Sequence, residues 1–161
     1  MRAGDVIFER GSGFLADTIR YFDDGPYSHV AIAVSDTEIL EAQFGVRSRI
    51  VPLYFYDYEI IDCGFTDAQR ERIKENANRL VGKKYDYLQI AWYVLRKWLG
   101  LKGHNFLNNP AMLICSECVF DDLELSHVLG HTLYINSDVT PNELFNYLSK
   151  RFNPKVIANT K

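Results

Sequence analysis

The order of the predicted elements places the strongest constraint on the fold of this chain. Short runs rich in β-branched and aromatic residues, typical of strands, fill most of residues 5–63, and helical spacing dominates from Thr66 onward. Consecutive short strands joined by turns favour an antiparallel meander. We therefore predict an α+β fold in which an antiparallel sheet of about five strands packs against helices. The predicted strands are Asp5–Phe8, His29–Val34, Glu38–Ala42, Val46–Leu53 and Tyr56–Cys63.

Helices are predicted where apolar residues recur at helical spacing or where capping residues occur. Thr66 with Gln69, and Thr140 with Glu143, match capping boxes. Neither a linker nor a repeat divides the chain, so we predict one domain over residues 1–161. The predicted helices are Phe14–Phe22, Thr66–Val81, Tyr87–Leu99, Ser116–Leu125 and one that begins at Pro141.

Composition argues against several classes of partner. The net charge is −3 and no basic block occurs, whereas phosphate backbones require clustered Lys and Arg, so we expect no nucleic-acid partner. The N-terminus has no apolar signal region, and no stretch is long enough to span a bilayer, so we expect no integral membrane segment. The 3 cysteines form an odd set that we expect to be reduced, in a cytoplasmic protein.

Cys115 is the first candidate for chemistry. It follows an apolar run and precedes the predicted helix at Ser116, so its thiol would lie at a helix N-terminus. The unsatisfied amides and the helix dipole stabilise a thiolate there, and the same amides can stabilise an oxyanion. A small buried packing residue is the alternative, and it is the commoner role of a free cysteine. Cys63 and Cys118 are interpreted as packing residues.

His29 opens an apolar strand and is the second candidate. A histidine there is often only a core residue. If the following hairpin pairs Ala31 with Glu41, however, His29 and Glu41 are diagonal neighbours on one face of the sheet. A carboxylate in that place holds the orientation and tautomer of an imidazole, as the third member of a triad does. A one-residue slip would separate the two side chains, and Glu41 would then be an ordinary surface carboxylate.

Three segments together resemble the NlpC-type papain-like hydrolases, in particular their circularly permuted YiiX-like branch. Gly4–Phe8 is similar to the opening strand of that family. Tyr27–Ile32, followed by Glu38–Ala42, is similar to its histidine strand and the next strand. Ile114–Val119 is similar to the Cys-Ser-Glu motif of the permuted branch, except that Cys118 replaces an aliphatic residue. The histidine precedes the cysteine, which is the order of the permuted members.

The resemblance implies a circularly permuted papain-like fold and a cysteine hydrolase, an amidase or peptidase. It implies Cys115 as nucleophile, His29 as base and Glu41 as orienting residue, without a cofactor. The segment around Tyr85 resembles a family motif that precedes the cysteine, so its hydroxyl is a candidate for contact with the oxyanion or substrate; a core tyrosine is the alternative. The implied substrate is a cell-wall peptide, another amide or a lipid-type ester. A lipid acyltransferase or thioesterase with the same dyad and a non-catalytic binding module remain alternatives.

A zinc site is a further alternative for the same cysteine. Cys115 and Cys118 could join His127 and His131 as ligands, but a single C-x-x-C lacks the paired spacing of zinc ribbons, and Gly130 argues against a helix there. We therefore predict no metal site. A redox C-x-x-C is disfavoured because no thioredoxin-like βαβ pattern surrounds it.

Overall fold

The computed structural model describes residues 1–43, 45–85, 112–113, 115–125, 139–152 and 154–159. Strands and helices follow the predicted order, and the predicted α+β class is confirmed. The strands are β1 (Val6–Glu9), β2 (His29–Ala33), β3 (Glu38–Glu41), β4 (Arg49–Pro52), β5 (Tyr58–Asp62), β6 (Lys84–Tyr85), β7 (Met112–Leu113) and β8 (Lys155–Asn159). The helices are α1 (Phe14–Asp23), α2 (Asp67–Leu80), α3 (Cys115–Leu125) and α4 (Pro141–Phe152). The predicted helix Tyr87–Leu99 lies outside the described residues.

The main sheet has 6 strands in the order β4-β3-β2-β1-β5-β8, and every neighbouring pair is antiparallel. The prediction of about five strands therefore missed β8, which forms an edge of the sheet and leaves Val156 and Ile157 half exposed. The predicted simple meander is wrong for β5, because this strand pairs with β1 instead of β4. Burial explains the crossover. Val6, Ile7 and Phe8 are all fully buried, so β1 needs neighbours on both edges and cover on both faces.

The three later helices, α2, α3 and α4, cover one face of the sheet. The larger apolar cluster combines β1 and β2 side chains such as Phe8 and Ile32 with Leu80, Leu123 and Leu144 from the three later helices. Helix α3 lies at the centre of this layer, where it packs against β2, β3, α2 and α4. A smaller apolar cluster covers the other face of the sheet. The position of α3 brings its first residue close to the strands that carry the predicted histidine and glutamate.

Both predicted capping boxes are confirmed. The Thr66 hydroxyl accepts a hydrogen bond from the Gln69 amide at 3.3 Å, and Gln69 Oε1 accepts one from the Thr66 amide at 2.9 Å. Thr140 and Glu143 form the same reciprocal pair, at 3.2 and 3.0 Å, before α4. Each box satisfies amides that the first helical turn leaves without a partner.

A buried arginine ties α2 to the N-terminal segment and β5. The side chains of Arg70 and Asp5 are each only 6% exposed, and Arg70 Nη1 lies 3.0 Å from Asp5 Oδ1. Arg70 also donates to Asp62 Oδ1 at 2.9 Å, to the Phe65 carbonyl at 3.0 Å and to the Ala3 carbonyl. The guanidinium thus connects α2 with the end of β5 and with the start of the chain, which is 65 to 67 residues away in sequence.

Candidate active site

His29 and Glu41 meet across the β2–β3 hairpin. Ile32 pairs with Leu40 and Ala33 with Ile39, and continuation of this pairing sets Ala31 opposite Glu41. This is the register on which the predicted contact between His29 and Glu41 depended. The two side chains lie on one face, and His29 Nε2 is 3.2 Å from Glu41 Oε2.

Glu41 is fully buried and its carboxylate has several donors. Arg49, directly across from Glu41 in β4, donates from Nε and Nη2 to Oε1 at 3.0 and 2.9 Å. The Tyr54 hydroxyl lies 2.9 Å from Oε2 and 3.1 Å from Oε1. Burial raises the pKa of Glu41, but the hydrogen bonds from His29, Tyr54 and Arg49 outweigh it and hold the pKa below its usual value. The buried carboxylate is therefore ionised and fixed in place.

The Tyr54 hydroxyl keeps its proton over the whole neutral range. Burial, and then the hydrogen bond and charge of Glu41, raise the pKa of Tyr54 to about 12. The hydroxyl therefore serves as a permanent donor to Glu41. Phe55 follows in sequence and packs edge-on against the His29 ring, with ring centroids 5.4 Å apart. These two aromatic residues limit the movement of the carboxylate and of the imidazole.

The His29 imidazole also interacts with the Cys115 side chain. Burial lowers the pKa of His29, but hydrogen bonds to Cys115 and Glu41 and the charges of both outweigh burial and raise it to about 10. Because Nε2 faces Glu41, Nδ1 is the nitrogen left for the thiol. The imidazole therefore carries a proton at neutral pH and lies between two groups that are negative when ionised.

Cys115 is the first residue of α3, one residue earlier than the predicted start at Ser116. The next residue, Ser116, is fully buried and donates its hydroxyl to the Val139 carbonyl, which fixes this helix end against the segment before α4. Cys115 keeps 5% of its surface exposed, whereas Cys118 keeps none. Burial raises the pKa of Cys118 well above its usual value, and raises that of Cys63 to about 12. These two thiols have the environment of packing residues.

The turn before His29 is clamped from several sides. Asn142 of α4 accepts from the Tyr27 amide at 3.1 Å and donates to the Tyr27 carbonyl at 2.9 Å. The Ser28 hydroxyl donates to the Arg10 carbonyl at 2.9 Å. Gly11 has φ +54°, and a Cβ there would lie 2.5 Å from Ser28 Oγ, so a side chain is excluded. The backbone that presents His29 is therefore held in one position.

Three positioning residues were missed at the sequence level, namely Arg49, Tyr54 and Asn142. Arg49 could have been found from the pairing of β3 with β4. In that pairing Arg49 lies opposite Glu41, which places a positive charge beside the carboxylate. No sequence pattern indicates Tyr54 or Asn142. Tyr54 lies in a connection between strands, and Asn142 reaches Tyr27 from 115 residues away.

The fourth predicted site residue, Tyr85, is only partly described. Its backbone lies in β6, which pairs in parallel with β7, and Tyr85 is opposite Leu113. This pairing brings residue 85 beside a residue two positions before Cys115. The side chain of Tyr85 is outside the described part of the structure, so its contact with a substrate stays a prediction.

The zinc alternative depends partly on His127 and His131, which lie outside the described residues. Over the described ranges, no group of three or more His, Cys, Asp or Glu side chains is arranged to hold a metal ion. Within the same part of the chain, no helix combines the length and apolar character needed to cross a membrane.

Comparison with known proteins identifies a structural relative. No protein-family model and no curated protein sequence matches the chain. Among solved structures, it is similar to the crystal structure of metalloprotein yiiX from Escherichia coli O157:H7, DUF1105. The TM-score is 0.56 with 18% sequence identity, over 98% of this chain and 97% of that chain. The chain has a yiiX-like fold. The match to yiiX extends over nearly the full length of both chains, so the similarity applies to the whole fold and not to a single part of it.

Replacement of Glu41 by glutamine tests its effect on the imidazole. The substitution removes a negative charge 3.2 Å from His29 Nε2, so the pKa of His29 should fall from about 10 by about one to three units. An NMR titration of the His29 ring protons measures the change. Glu38→Gln, at the exposed far end of the same strand, is the matched control and should leave that pKa unchanged. An unchanged value in Glu41→Gln would show that the carboxylate does not stabilise the imidazolium.

Proposed function

We propose that the chain is a papain-like cysteine hydrolase, an amidase or peptidase. In this proposal residues 1–161 form one circularly permuted papain-like catalytic domain. Cys115 is the nucleophile, His29 is the acid and base, and Glu41 orients the imidazole. The observation that carries the proposal is that one buried imidazole interacts with both Cys115 and Glu41. The yiiX-like fold supports it more generally.

The first half of the reaction forms an acyl-enzyme. The Cys115 thiolate, paired with the His29 imidazolium, attacks the carbonyl carbon of the substrate and forms a C–S bond. The unsatisfied amides at the start of α3 stabilise the negative oxygen of the tetrahedral intermediate. Collapse of the intermediate breaks the bond to the leaving group, which takes the proton from Nδ1 of His29. The Tyr85 hydroxyl is a further candidate donor to this oxygen.

The second half releases the acid. His29 is neutral after it protonates the leaving group, and it then takes a proton from a water molecule. The resulting hydroxide attacks the thioester, and the acid leaves as the thiolate–imidazolium pair forms again. Glu41 remains ionised in both halves, because Arg49 and Tyr54 donate to it continuously. Its task is to keep Nε2–H engaged so that Nδ1 faces the thiol.

The proposed substrates are peptides and other amides, with lipid-type acyl esters as a related class. All of them present an acyl carbon to a thiolate, and the chemistry of the three residues is the same for each. A leaving amine needs a proton more than a leaving alcohol does, and the raised pKa of His29 supplies a protonated donor at neutral pH.

No step of the proposed reaction uses a metal ion. The protein yiiX is a metalloprotein, but the Glu41 carboxylate of this chain does not suit a metal ligand. The Arg49 guanidinium occupies Oε1 at 2.9 Å, where its charge would repel a bound cation. The pKa of His29 is raised, so its imidazole is protonated at neutral pH, whereas a metal ion binds only a neutral imidazole. The described residues therefore do not fit a metal at this site.

Trapping of the acyl-enzyme tests the proposal. The protein is mixed with p-nitrophenyl acetate, p-nitrophenyl butyrate and acylated amino-acid p-nitroanilides, quenched in acid and analysed by intact and peptide mass spectrometry. We expect an acyl group on Cys115, absent from Cys115→Ala and retained in Cys63→Ser, which changes a buried thiol that has no role in the proposed reaction. Turnover that survives in Cys115→Ala, or acylation confined to another residue, would refute the assignment.

A further inference from the structure

Cys118 has no part in the proposed reaction, but it lies in the first turn of the helix that Cys115 begins. Residues three apart lie on the same side of an α-helix. A rise of 1.5 Å per residue and a radius of about 2.3 Å give a Cα–Cα separation of about 5 Å for such a pair. This value lies within the range found for disulfides, about 4.4–6.8 Å. The backbone spacing of the two cysteines is therefore already suitable for a bond.

The helix end allows the remaining adjustment. Cβ atoms three residues apart in a regular helix are about 5–6 Å from each other, and a disulfide needs about 3.5–4.5 Å. Cys115 is the first helical residue, so its amide makes no intrahelical hydrogen bond that a small rotation would break. In the middle of a helix the same movement would cost a hydrogen bond on each side.

The environments of the two thiols differ in the way that such a pair requires. Cys115 keeps 5% of its surface exposed and interacts with a protonated imidazole, so of these two thiols it is the one that an oxidant reaches. Cys118 is fully buried and its raised pKa keeps it protonated. It is protected from direct oxidation, yet it adjoins the sulfur that reacts. All three cysteines are free in the reduced protein.

We infer that Cys115 and Cys118 form a reversible intrahelical disulfide when a hydroperoxide oxidises the site. This inference rests on the proposed function, because it requires a reactive Cys115 thiolate. The disulfide blocks the nucleophile while it lasts, and a reducing thiol restores it. The bond protects Cys115 from further oxidation to sulfinic and sulfonic acids, which dithiothreitol does not reverse.

The reaction balances with hydrogen peroxide as oxidant. The Cys115 thiolate attacks one peroxide oxygen, the O–O bond breaks, and the departing hydroxide takes a proton to become water. Cys115 is then a sulfenic acid. The Cys118 sulfur attacks the Cys115 sulfur, the S–O bond breaks, and the Cys118 proton leaves with the hydroxide as a second water. The two thiols lose two electrons and peroxide gains two.

The position of Glu117 between the two cysteines makes the bond easy to detect. Wild type is treated with hydrogen peroxide, quenched, alkylated and cleaved with a protease that cuts after glutamate. Cleavage at Glu117 separates Cys115 from Cys118 unless a disulfide joins them. We expect one linked peptide pair, an intact mass lower by two hydrogen atoms, and loss of nearly all iodoacetamide labelling at Cys115. Dithiothreitol should restore the labelling.

Cys118→Ala and Cys63→Ser distinguish the possible results. The inference predicts that Cys118→Ala takes up two or three oxygen atoms at Cys115, as sulfinic or sulfonic acid, and does not recover with dithiothreitol, whereas Cys63→Ser behaves like wild type. If wild-type Cys115 is alkylated readily but gains oxygen without a linked peptide, the inference fails and the proposed function stands. If Cys115 reacts with neither iodoacetamide nor peroxide, both fail. The wild-type peptide mapping decides between these results even if Cys118→Ala does not fold.

Discussion

Replacement of His29 by alanine is expected to lower the rate at which iodoacetamide labels Cys115 at pH 6.5 by about a hundredfold. In wild type the protonated imidazole, with a pKa raised to about 10, interacts with the Cys115 side chain, and its positive charge favours the anionic form of the sulfur that iodoacetamide alkylates. An ordinary free thiol, with a pKa of about 8.5, is only about 1% ionised at pH 6.5, and this small fraction is the basis of the expected decrease. Labelling followed from pH 5 to 10, with the site located by peptide mass mapping, measures the difference.

The pH profiles give the sharper comparison. Below the ordinary thiol pKa of about 8.5, the labelling rate in His29→Ala should rise by about tenfold per pH unit, and the rate in wild type should rise less steeply over the same range. His29→Gln, which retains volume and a polar group, should follow the alanine variant. Cys63, whose pKa burial raises to about 12, is an internal reference that stays unlabelled. Identical profiles for wild type and His29→Ala would remove the basis of the proposed dyad.

The same pKa has a consequence for stability. The pKa of His29 in the folded chain is raised above the ordinary value of 6.5, so its ionisation contributes stability that is fully present below pH 6.5. This contribution is lost as the pH rises through about 10. Wild type should therefore lose more stability than His29→Ala between neutral and alkaline pH.

Replacement of Arg70 by alanine is expected to lower the free energy of unfolding by about 3–5 kcal/mol. The substitution leaves the buried Asp5 carboxylate without the guanidinium that lies 3.0 Å from it, and leaves the Phe65 and Ala3 carbonyls without a donor. An uncompensated buried charge costs far more than the loss of an exposed ion pair. Urea denaturation followed by far-ultraviolet circular dichroism measures the change in midpoint.

Arg72→Ala is the matched control for this effect. Arg72 lies in the same helix and is exposed, so its replacement should change the stability by less than about 0.5 kcal/mol. The double variant Arg70→Met with Asp5→Asn removes both charges and should recover part of the lost stability. If Arg70→Ala and Arg72→Ala unfold at the same urea concentration, the buried pair makes no net contribution.

Much of the local structure around the candidate site could be predicted from the sequence. The two strand segments His29–Val34 and Glu38–Ala42, with a short turn between them, predicted a hairpin. The sequence left its register open, and the structure has the register that sets His29 and Glu41 on one face. Capping residues predicted where α2 and α4 begin. These features depend on neighbours within a few residues, so periodicity and turn chemistry contain the necessary information.

The remaining features depend on contacts between distant segments. The pairing of β5 with β1 and of β8 with β5 follows from burial of a central strand, which no local pattern encodes. Tyr54 reaches Glu41 only because the chain after β4 turns back over the hairpin. The interaction of Cys115 with His29 was expected from a family resemblance, since nothing in the spacing of residues 29 and 115 predicts it.

The two contacts of the site, between His29 and Glu41 and between His29 and Cys115, differ greatly in the length of the loop that must close to form them. His29 and Glu41 are 12 residues apart in one hairpin, and such hairpins form in microseconds. Cys115 lies 86 residues after His29 and 74 residues after Glu41, so the entropic cost of closing the loop is larger and the contact depends on the docking of α3. During folding the imidazole and its carboxylate are therefore assembled first. A partly folded chain therefore lacks the interaction between Cys115 and His29, which forms only when α3 has docked on the sheet.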